Sequence, residues 1–373
     1  MKKTRKFQIP VLVPKVPGPA LWANLLEKSF AVSKFSNGGP LAKNAEQEIS
    51  FYLGGQCEVM VCASNTSGLI ASLIAFECRN KKVLVSNYTF AATLNAIHCA
   101  GAIPVLSDVD SNTWEISVEQ IAMAKSKFPD IYAIVITRVH GFNRNFDAIL
   151  DFCADHQLKV VIDAAAAFPG EGIRYKTRPD VAEVYSFHAT KPLGIGEGGA
   201  VVGDKSTIRV VRKSSNFGLD ESSESFGDGL NAKMDEFAAA RLIVSLKNFS
   251  EFVNTRKHFV KELHEILNLC DAVKLPGQTG NTSWPFFPVK FQNEEELLKF
   301  QKDLFKVVQT KRYYFPSMSE GYRGKGDILT SSKLEVSVEL ARTSLCLPVI
   351  PSLGRDDRNR YFNKIRKLIN TLS

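Results

Sequence analysis

The sequence predicts an α/β fold, with a mostly parallel sheet in a large first domain and a smaller α+β domain after it. Between Glu58 and Val202, short apolar segments of strand length alternate with helical segments, a pattern typical of βα units. The length of 373 residues suits two packed cores in one subunit. We therefore expect a large domain over residues 1–250 and a small domain over residues 251–373.

The individual elements follow from turn residues and apolar periodicity. Ser36–Pro40 is a strong turn signal before the first clear helix, and hydroxyl and amide residues at 64–67 precede the second. The predicted strands lie within 58–63, 82–86, 103–110, 132–137, 159–163, 184–187 and 200–202 of the large domain, and within 286–291 of the small domain. The predicted helices are 41–53, 69–77, 94–100, 234–267, 294–308 and 356–372.

Polar side chains follow the carboxyl ends of these strands, where parallel α/β sheets bind their ligands. One buried strand ends in Asp163, and a buried carboxylate needs a cation or a strong donor. Ser186 ends the next strand, and Lys191 follows in a turn that contains several glycines. By itself, Lys191 is either a Schiff-base nucleophile or a solvated lysine in a glycine-rich turn. Asp163 favours the nucleophile, because a pyridinium nitrogen is a cation that would partner this carboxylate.

The spacing of Asp163 and Lys191, with Ser-Phe-His-Ala-Thr directly before the lysine, resembles that of pyridoxal-phosphate enzymes. From about Asn37 to the C-terminus, the chain resembles the DegT/DnrJ/EryC1/StrS family of nucleotide-sugar aminotransferases. The resemblance implies the type I fold of aspartate aminotransferase, with pyridoxal 5′-phosphate as cofactor. It also implies that Asp163 keeps the ring nitrogen protonated and that Lys191 is the catalytic residue, which binds the cofactor covalently.

The same resemblance assigns further residues to the cofactor. Tyr88 would stack on the ring, and Asn231 would reach across a homodimer interface to the phosphate of the neighbouring subunit, so that the active sites are shared. The residues expected to bind the phosphate within one subunit are Thr66, Ser67 and Ser186. Without the family, the residues near 66 read as a helix cap, Tyr88 as a core aromatic and Asn231 as a helix N-cap.

Segments 311–316 and 345–349 resemble elements of enzymes that make nucleotide-linked 4-amino-4,6-dideoxyglucose. By this resemblance, Arg312 would pair with a diphosphate and Tyr314 would line the sugar pocket, although both residues also read as packing beside a proline turn. Asn37 and Gly38 are further substrate-pocket candidates, or a simple turn. The implied reaction moves an amino group from L-glutamate, leaving 2-oxoglutarate, to dTDP-4-keto-6-deoxy-D-glucose, for an O-antigen or another surface glycan.

Several positions depart from the family pattern. Ala166 stands where the family carries Gln or His, three residues after the aspartate, and so lacks the contact to the phenolic oxygen of the cofactor. Asn65 stands where Gly is usual and would have to adopt a conformation that glycine adopts freely. Near the next strand end His140 matches the family, but Gly141 replaces a large residue and Asn143 replaces a glycine.

These departures keep alternatives open. A non-catalytic descendant of the fold, acting as a sensor or scaffold, would bind the cofactor weakly or not at all. A C3-specific aminotransferase or a sugar dehydratase of the same family is the closer alternative. Lys191 favours the aminotransferase, because the dehydratases of the family have His at this position. A lone His after a strand is more often structural than catalytic, so His140 is not among the catalytic candidates.

Bulk properties exclude several other classes. The formal net charge is +8, but the basic residues are spread along the chain without a dense block, which does not favour nucleic-acid binding. No apolar run reaches the length of a membrane span, and we expect a cytoplasmic protein. The seven cysteines have no metal-ligand spacing, and we expect reduced core residues and no metal site.

Overall fold

The computed structural model describes residues 8–172, 174–220, 222–275, 277, 279–324 and 326–372. Its strands are β1 (Glu58–Cys62), β2 (Lys82–Ser86), β3 (Ile103–Ser107), β4 (Ile131–Thr137), β5 (Lys159–Ala164), β6 (Val181–Ser186), β7 (Gly199–Gly203), β8 (Val273–Lys274), β9 (Phe286–Phe291), β10 (Leu329–Thr330) and β11 (Ser344–Pro348). Its α-helices are α1 (Glu27–Ala31), α2 (Pro40–Tyr52), α3 (Asn65–Ala75), α4 (Ala91–Cys99), α5 (Val118–Lys127), α6 (Asp147–Asp155), α7 (Lys205–Ser215), α8 (Glu236–Lys247), α9 (Phe249–Leu267), α10 (Glu294–Leu304), α11 (Met318–Gly321), α12 (Glu335–Thr343) and α13 (Arg355–Ile369).

An eight-stranded sheet forms the larger part of the fold, in the order β1-β7-β6-β5-β4-β2-β3-β10. Only β7 runs antiparallel to its neighbours, so the expected mostly parallel sheet is confirmed. Its strands are apolar on both faces, as helix-covered parallel strands must be. In β5, Val160 and Ile162 pack into the core under α2, α5, α6 and α8, whereas Val161 packs into the core under α3, α4 and α7.

The parallel strands β2, β4, β5 and β6 end at one edge of the sheet, which brings distant polar residues together. Thr137 at the end of β4 is in register with Asp163 on β5, and Asp163 is in register with Val184 on β6. Ser86 and Ser186 are the last residues of β2 and β6. Residues separated by up to 100 positions therefore share the carboxyl edge that the sequence predicts as the ligand site.

A second sheet, in the antiparallel order β11-β9-β8, carries the smaller core together with α9, α10 and α13. The entry segment differs from the expectation, because Ile9 is buried in this smaller core and bonds to the backbone of Val307 and Gln309. Conversely, β10 pairs with β3 at the edge of the large sheet. The boundary at residue 250 falls near the start of α9, and the exact division into domains stays a prediction.

Most predicted elements appear within a few residues of their expected bounds. The expected helix over 234–267 is instead two helices, α8 and α9, which meet at Asn248. None of the helices in the described part of the chain combines the length and apolar character needed to cross a membrane. Six of the seven cysteines are buried, Cys99 is exposed, and all seven are free thiols.

Candidate active site

A cavity of about 450 Å³ lies at the carboxyl edge of the large sheet. It brings together five of the residues singled out from the sequence, which are Thr66, Asp163, Ser186, Lys191 and Tyr314. Its wall also contains Ala166 and His140 from the same edge, and Phe286 and Tyr313 from the C-terminal part. The cavity therefore lies between the carboxyl edge of the large sheet and residues of the C-terminal part, where Phe286 is on β9 and Tyr313 lies between β9 and β11.

Asp163 is buried and its carboxylate is oriented by three donors. The Thr93 hydroxyl donates to Oδ2 at 2.6 Å, while the Asn65 side-chain amide and the Ala165 N–H donate to Oδ1 at 3.2 and 3.1 Å. Thr93 is in turn bonded to the Thr89 hydroxyl at 2.8 Å. The carboxylate is thus an acceptor of fixed orientation that faces the cavity, as a partner of a protonated ring nitrogen must be.

Lys191 lies in the same cavity, in the glycine-rich turn after β6. Burial lowers the pKa of Lys191, and the negative charge of Asp163 partly opposes this shift. A lowered pKa increases the fraction of neutral amine, which is the nucleophilic form. The turn leads into β7, whose first residue must be glycine because a Cβ on Gly199 would lie 2.7 Å from the backbone nitrogen of Asn65. The start of β7 is therefore packed directly against the start of α3.

The start of α3 provides a site for an anion. The described residues contain no acceptor for the N–H groups of Asn65 and Thr66, and the helix dipole adds positive potential there. Ser67, expected to bind a phosphate, lies outside the cavity wall, and its hydroxyl forms a capping box with Ser64. Ser64 itself lines the cavity. The Ser67 side chain thus caps the helix and does not line the cavity in which a phosphate was expected.

Tyr88 does not occupy the position expected of a stacking residue. Its ring is fully buried, its hydroxyl donates to the Tyr313 carbonyl at 2.8 Å, and it forms no part of the cavity wall. Phe90 lines the cavity and is 54% exposed at the N-cap of α4. We therefore correct the assignment and propose Phe90 as the aromatic face for the ring. Both aromatics flank Thr89 in the sequence, so the motif alone did not distinguish them.

His140 lies in the cavity wall, but its ring is held by protein atoms on both sides. Its Nε2 is 3.1 Å from the Tyr88 hydroxyl and its Nδ1 is 3.6 Å from the Cys346 Sγ. Burial lowers the pKa of His140 from its usual 6.5 to about 3, so the imidazole is neutral. Because the Tyr88 proton goes to Tyr313, Nε2 of His140 donates and Nδ1 accepts. Both ring nitrogens of His140 are thereby engaged with the protein.

Besides Ser67 and Tyr88, four more candidates lie outside the cavity of their own chain. Arg312 donates to Glu294 at 2.7 Å and lies 3.7 Å over the Phe315 ring, in the wall of a neighbouring cavity of about 480 Å³. Asn37 and Gly38 form a turn with positive φ before α2. Asn231 is exposed and forms a β-bridge with Asn216. It does not cap α8, whose N-cap is Asp235.

The sequence pattern of the DegT/DnrJ/EryC1/StrS aminotransferase family matches residues 22–366, which is most of the chain. The chain belongs to this family. Protein Rv3402c of Mycobacterium tuberculosis is 28% identical, with 96% of this chain and 90% of the relative covered. The dTDP-4-amino-4,6-dideoxy-D-glucose transaminase of Shigella dysenteriae is 26% identical, with 96% and 98% covered. The dTDP-3-amino-3,4,6-trideoxy-alpha-D-glucose transaminase of Streptomyces venezuelae is 27% identical, with 88% and 87% covered.

Two solved structures have the same fold as this chain. A PLP-dependent aminotransferase from Bacillus cereus, described as putative, superposes with a TM-score of 0.86 at 23% identity, covering 96% of this chain and 100% of that chain. DesI, crystallised in the presence of its TDP-sugar product, superposes with a TM-score of 0.82 at 28% identity, covering 98% and 94%. The type I fold expected from the sequence is thereby confirmed, and pyridoxal phosphate is the cofactor of this family member.

The cavity of this aminotransferase fits that cofactor in three respects. The orienting donors leave the Asp163 carboxylate facing the cavity, where a ring nitrogen needs an acceptor. Lys191, with its lowered pKa, provides the amine. The free N–H groups of Asn65 and Thr66, with the Ser186 hydroxyl nearby in the same wall, suit a phosphate.

Proposed function

We propose that this aminotransferase moves an amino group from L-glutamate to a nucleotide-linked 4-keto-6-deoxyhexose. The acceptor we infer is dTDP-4-keto-6-deoxy-D-glucose, which gives dTDP-4-amino-4,6-dideoxy-D-glucose. The observation that carries the reaction class is Lys191 with a lowered pKa beside an oriented Asp163 in one cavity. The sugar is supported by the named transaminase of Shigella dysenteriae, which aligns over nearly the whole of both chains.

The residues of the cavity divide the chemical work. Pyridoxal phosphate, when bound, supplies a ring that stabilises negative charge developing on the substrate carbon. Lys191 attaches the cofactor and, when released, acts as general base and acid for the proton on that carbon, a role suited to an amine of lowered pKa. Asp163 holds the ring nitrogen proton, while the start of α3 and Ser186 hold the phosphate. Phe90 covers the ring and excludes water from that face.

The acceptor sugar would enter from the side of Tyr313 and Tyr314. These two residues and Phe90 line both the first cavity and the neighbouring cavity that contains Arg312. To bind the diphosphate, Arg312 would have to break its ion pair with Glu294 or contact both groups at once. Lys311 and Arg323 line the same neighbouring cavity and are cationic alternatives for the diphosphate. An anionic nucleotide sugar thus finds both aromatic surface and positive charge beside the amine.

We further propose a homodimer in which Asn231 of each subunit binds the phosphate of the other. Support comes from its position, since Asn231 is exposed and outside the cavity of its own chain. Two aromatic side chains that precede Asn231 in the chain are also exposed, Phe226 being 80% and Phe217 51% accessible. Aromatic side chains are enriched at protein interfaces.

The proposal is tested by recording the absorption spectrum of the protein reconstituted with pyridoxal phosphate, before and after addition of L-glutamate. We expect a visible band that glutamate bleaches, and its return when dTDP-4-keto-6-deoxy-D-glucose is added. Lys191→Arg, which keeps the charge but not the nucleophile, should lack both the band and the bleaching. The exposed Lys205→Ala on α7 is the matched control and should behave as wild type.

The product identifies the branch of the family. NMR of the aminated sugar places the nitrogen at C4 if the proposal is correct. Nitrogen at C3 would instead agree with the relative from Streptomyces venezuelae, and loss of a hydroxyl without amination would indicate a dehydratase. A protein without any band after reconstitution would refute the enzyme and favour the sensor or scaffold.

A further inference from the structure

The departure at Ala166 leaves one side of the cofactor without its usual partner. Ala166 lies in the cavity wall and is only 8% exposed, three residues after the carboxylate that faces the ring nitrogen. Its methyl group cannot donate a hydrogen bond. The phenolic oxygen of pyridoxal phosphate carries negative charge when the cofactor is attached through Lys191, and such an oxygen in a buried site needs a donor. Within the protein, such a donor has to come from another residue of the same wall.

Tyr314 lines the same cavity and is held rigidly. Its ring stacks on His140 with centroids 5.4 Å apart and planes within 6°, and it meets Tyr88 edge to face at 5.2 Å. The hydroxyl accepts a long hydrogen bond of 3.4 Å from the backbone N–H of His140. The next residue, Gly141, lies against Ala166, because a Cβ on it would be only 2.4 Å from the Ala166 carbonyl oxygen. The Tyr314 hydroxyl is therefore held next to the His140–Gly141 segment, which packs against Ala166, in the wall of the cavity that Ala166 also lines.

The hydroxyl of Tyr314 also has a proton to give. It accepts from His140, and none of the described residues accepts the Tyr314 proton in return. Burial raises the pKa of Tyr314 well above its ordinary value, so the phenol stays protonated over the working range of pH. The titratable groups that face it are Asp163, His140, Tyr88, Tyr313 and Cys346. All of them leave the phenol neutral and available as a donor into the cavity.

We propose that Tyr314 is a positioning residue that donates a hydrogen bond to the phenolic oxygen of the cofactor, in place of the side chain that Ala166 lacks. The proposal requires bound pyridoxal phosphate but neither the amino donor nor the sugar. It gives Tyr314 a role beyond the sugar pocket.

A pH titration of the visible band, without glutamate or sugar, tests this role. A donor to the phenolic oxygen withdraws charge from it, and this oxygen helps hold the proton of the linkage to Lys191. Tyr314→Phe should therefore raise the midpoint of the titration by about one pH unit and weaken cofactor binding about tenfold. Tyr322→Phe, which stacks on His98 outside this cavity, is the control and should titrate as wild type.

Rescue separates a hydrogen bond from packing. Ala166→Gln added to Tyr314→Phe restores a donor and should return the midpoint to within about 0.3 units of wild type. A midpoint that is unchanged in Tyr314→Phe, or a shift that Ala166→Gln does not reverse, overturns the proposal. Ala166→Gln alone provides a variant with Tyr314 intact, and a midpoint lowered by a full unit would mean that the oxygen had no donor before. A wild-type chain without a band refutes the proposed function as well, whereas a normal band with these negative results refutes only the role of Tyr314.

Discussion

Replacing Thr93 by valine tests whether the orientation of Asp163 controls the reaction. Thr93 is fully buried, and its hydroxyl donates to Asp163 Oδ2 at 2.6 Å without lining the cavity. Valine keeps the shape and removes the donor. A hydrogen bond to a charged group contributes about 1.5 to 3 kcal/mol, and two other donors remain on Oδ1. At about 1.4 kcal/mol per factor of ten, we expect the rate of the glutamate half-reaction to fall roughly 10- to 100-fold.

The assay is single-turnover bleaching of the visible band at saturating glutamate. The apparent affinity for glutamate should change little, because Thr93 does not contact the cavity. Thr93→Ser keeps the hydroxyl and should retain most of the rate. Thr89→Val is the matched control, since it removes the hydrogen bonds of Thr89 to Thr93 at 2.8 Å and to Thr137 at 2.7 Å but leaves the bond from Thr93 to Asp163 in place. A folded Thr93→Val protein that reacts within twofold of wild type would refute the reasoning.

Three further outcomes follow from the site. Phe90→Ala should weaken binding of pyridoxal phosphate about tenfold in a spectroscopic titration, whereas Tyr88→Phe should lower stability and leave cofactor affinity within twofold. Ser67→Ala should lower the free energy of unfolding in urea by about 1 kcal/mol through loss of the capping box, with unchanged cofactor affinity. The pKa of His140 is lowered to about 3, so its neutral form stabilises the fold above pH 6.5, and this contribution is lost as the pH falls from 6.5 toward 3. Over that window His140→Gln should show a flatter decline in unfolding free energy, by up to about 1.4 kcal/mol per pH unit.

The parts of the site that the sequence predicts are those carried by local patterns. Asp163 ends an apolar strand and Lys191 follows a glycine-rich turn, so each is recognisable from its immediate neighbours. Their meeting follows from the parallel order of the strands, which βα alternation predicts. The fold class was predictable for the same reason, because apolar periodicity is a local property.

The parts of the site that the sequence did not predict depend on contacts between distant segments. The Thr93 hydroxyl reaches a carboxylate 70 residues away, and nothing near Thr93 in the sequence indicates that partner. The ion pair of Arg312 with Glu294 likewise joins a loop to the start of a helix. Arg312 therefore lines the neighbouring cavity and not the one that contains Lys191. Tyr88 and Phe90 lie two residues apart after one strand, and the contacts of Tyr88 with Tyr313 and His140 place its ring in the interior.

The departures from the family pattern look different once their contacts are known. Asn65 does not need a glycine conformation, because it is the first residue of α3, and its amide bonds to Asp163 and to the Val184 carbonyl at 2.8 Å. Gly141 has a φ of +83° and touches Ala166, so a large residue would not fit there. Asn143 donates to the carbonyls of Ala167 and Asn281 at 3.1 and 3.0 Å.

Asn65, Gly141 and Asn143 thus each have a defined packing or hydrogen-bonding role around Asp163 and the cavity wall. A descendant that had lost its chemistry would have no need to keep an oriented carboxylate in one cavity with a half-buried lysine of lowered pKa. The substitutions that first suggested a sensor or scaffold therefore give no support to that alternative. Ala166 is the exception, since it removes a donor without providing another, and Tyr314 is the neighbouring group whose proton is free to replace it.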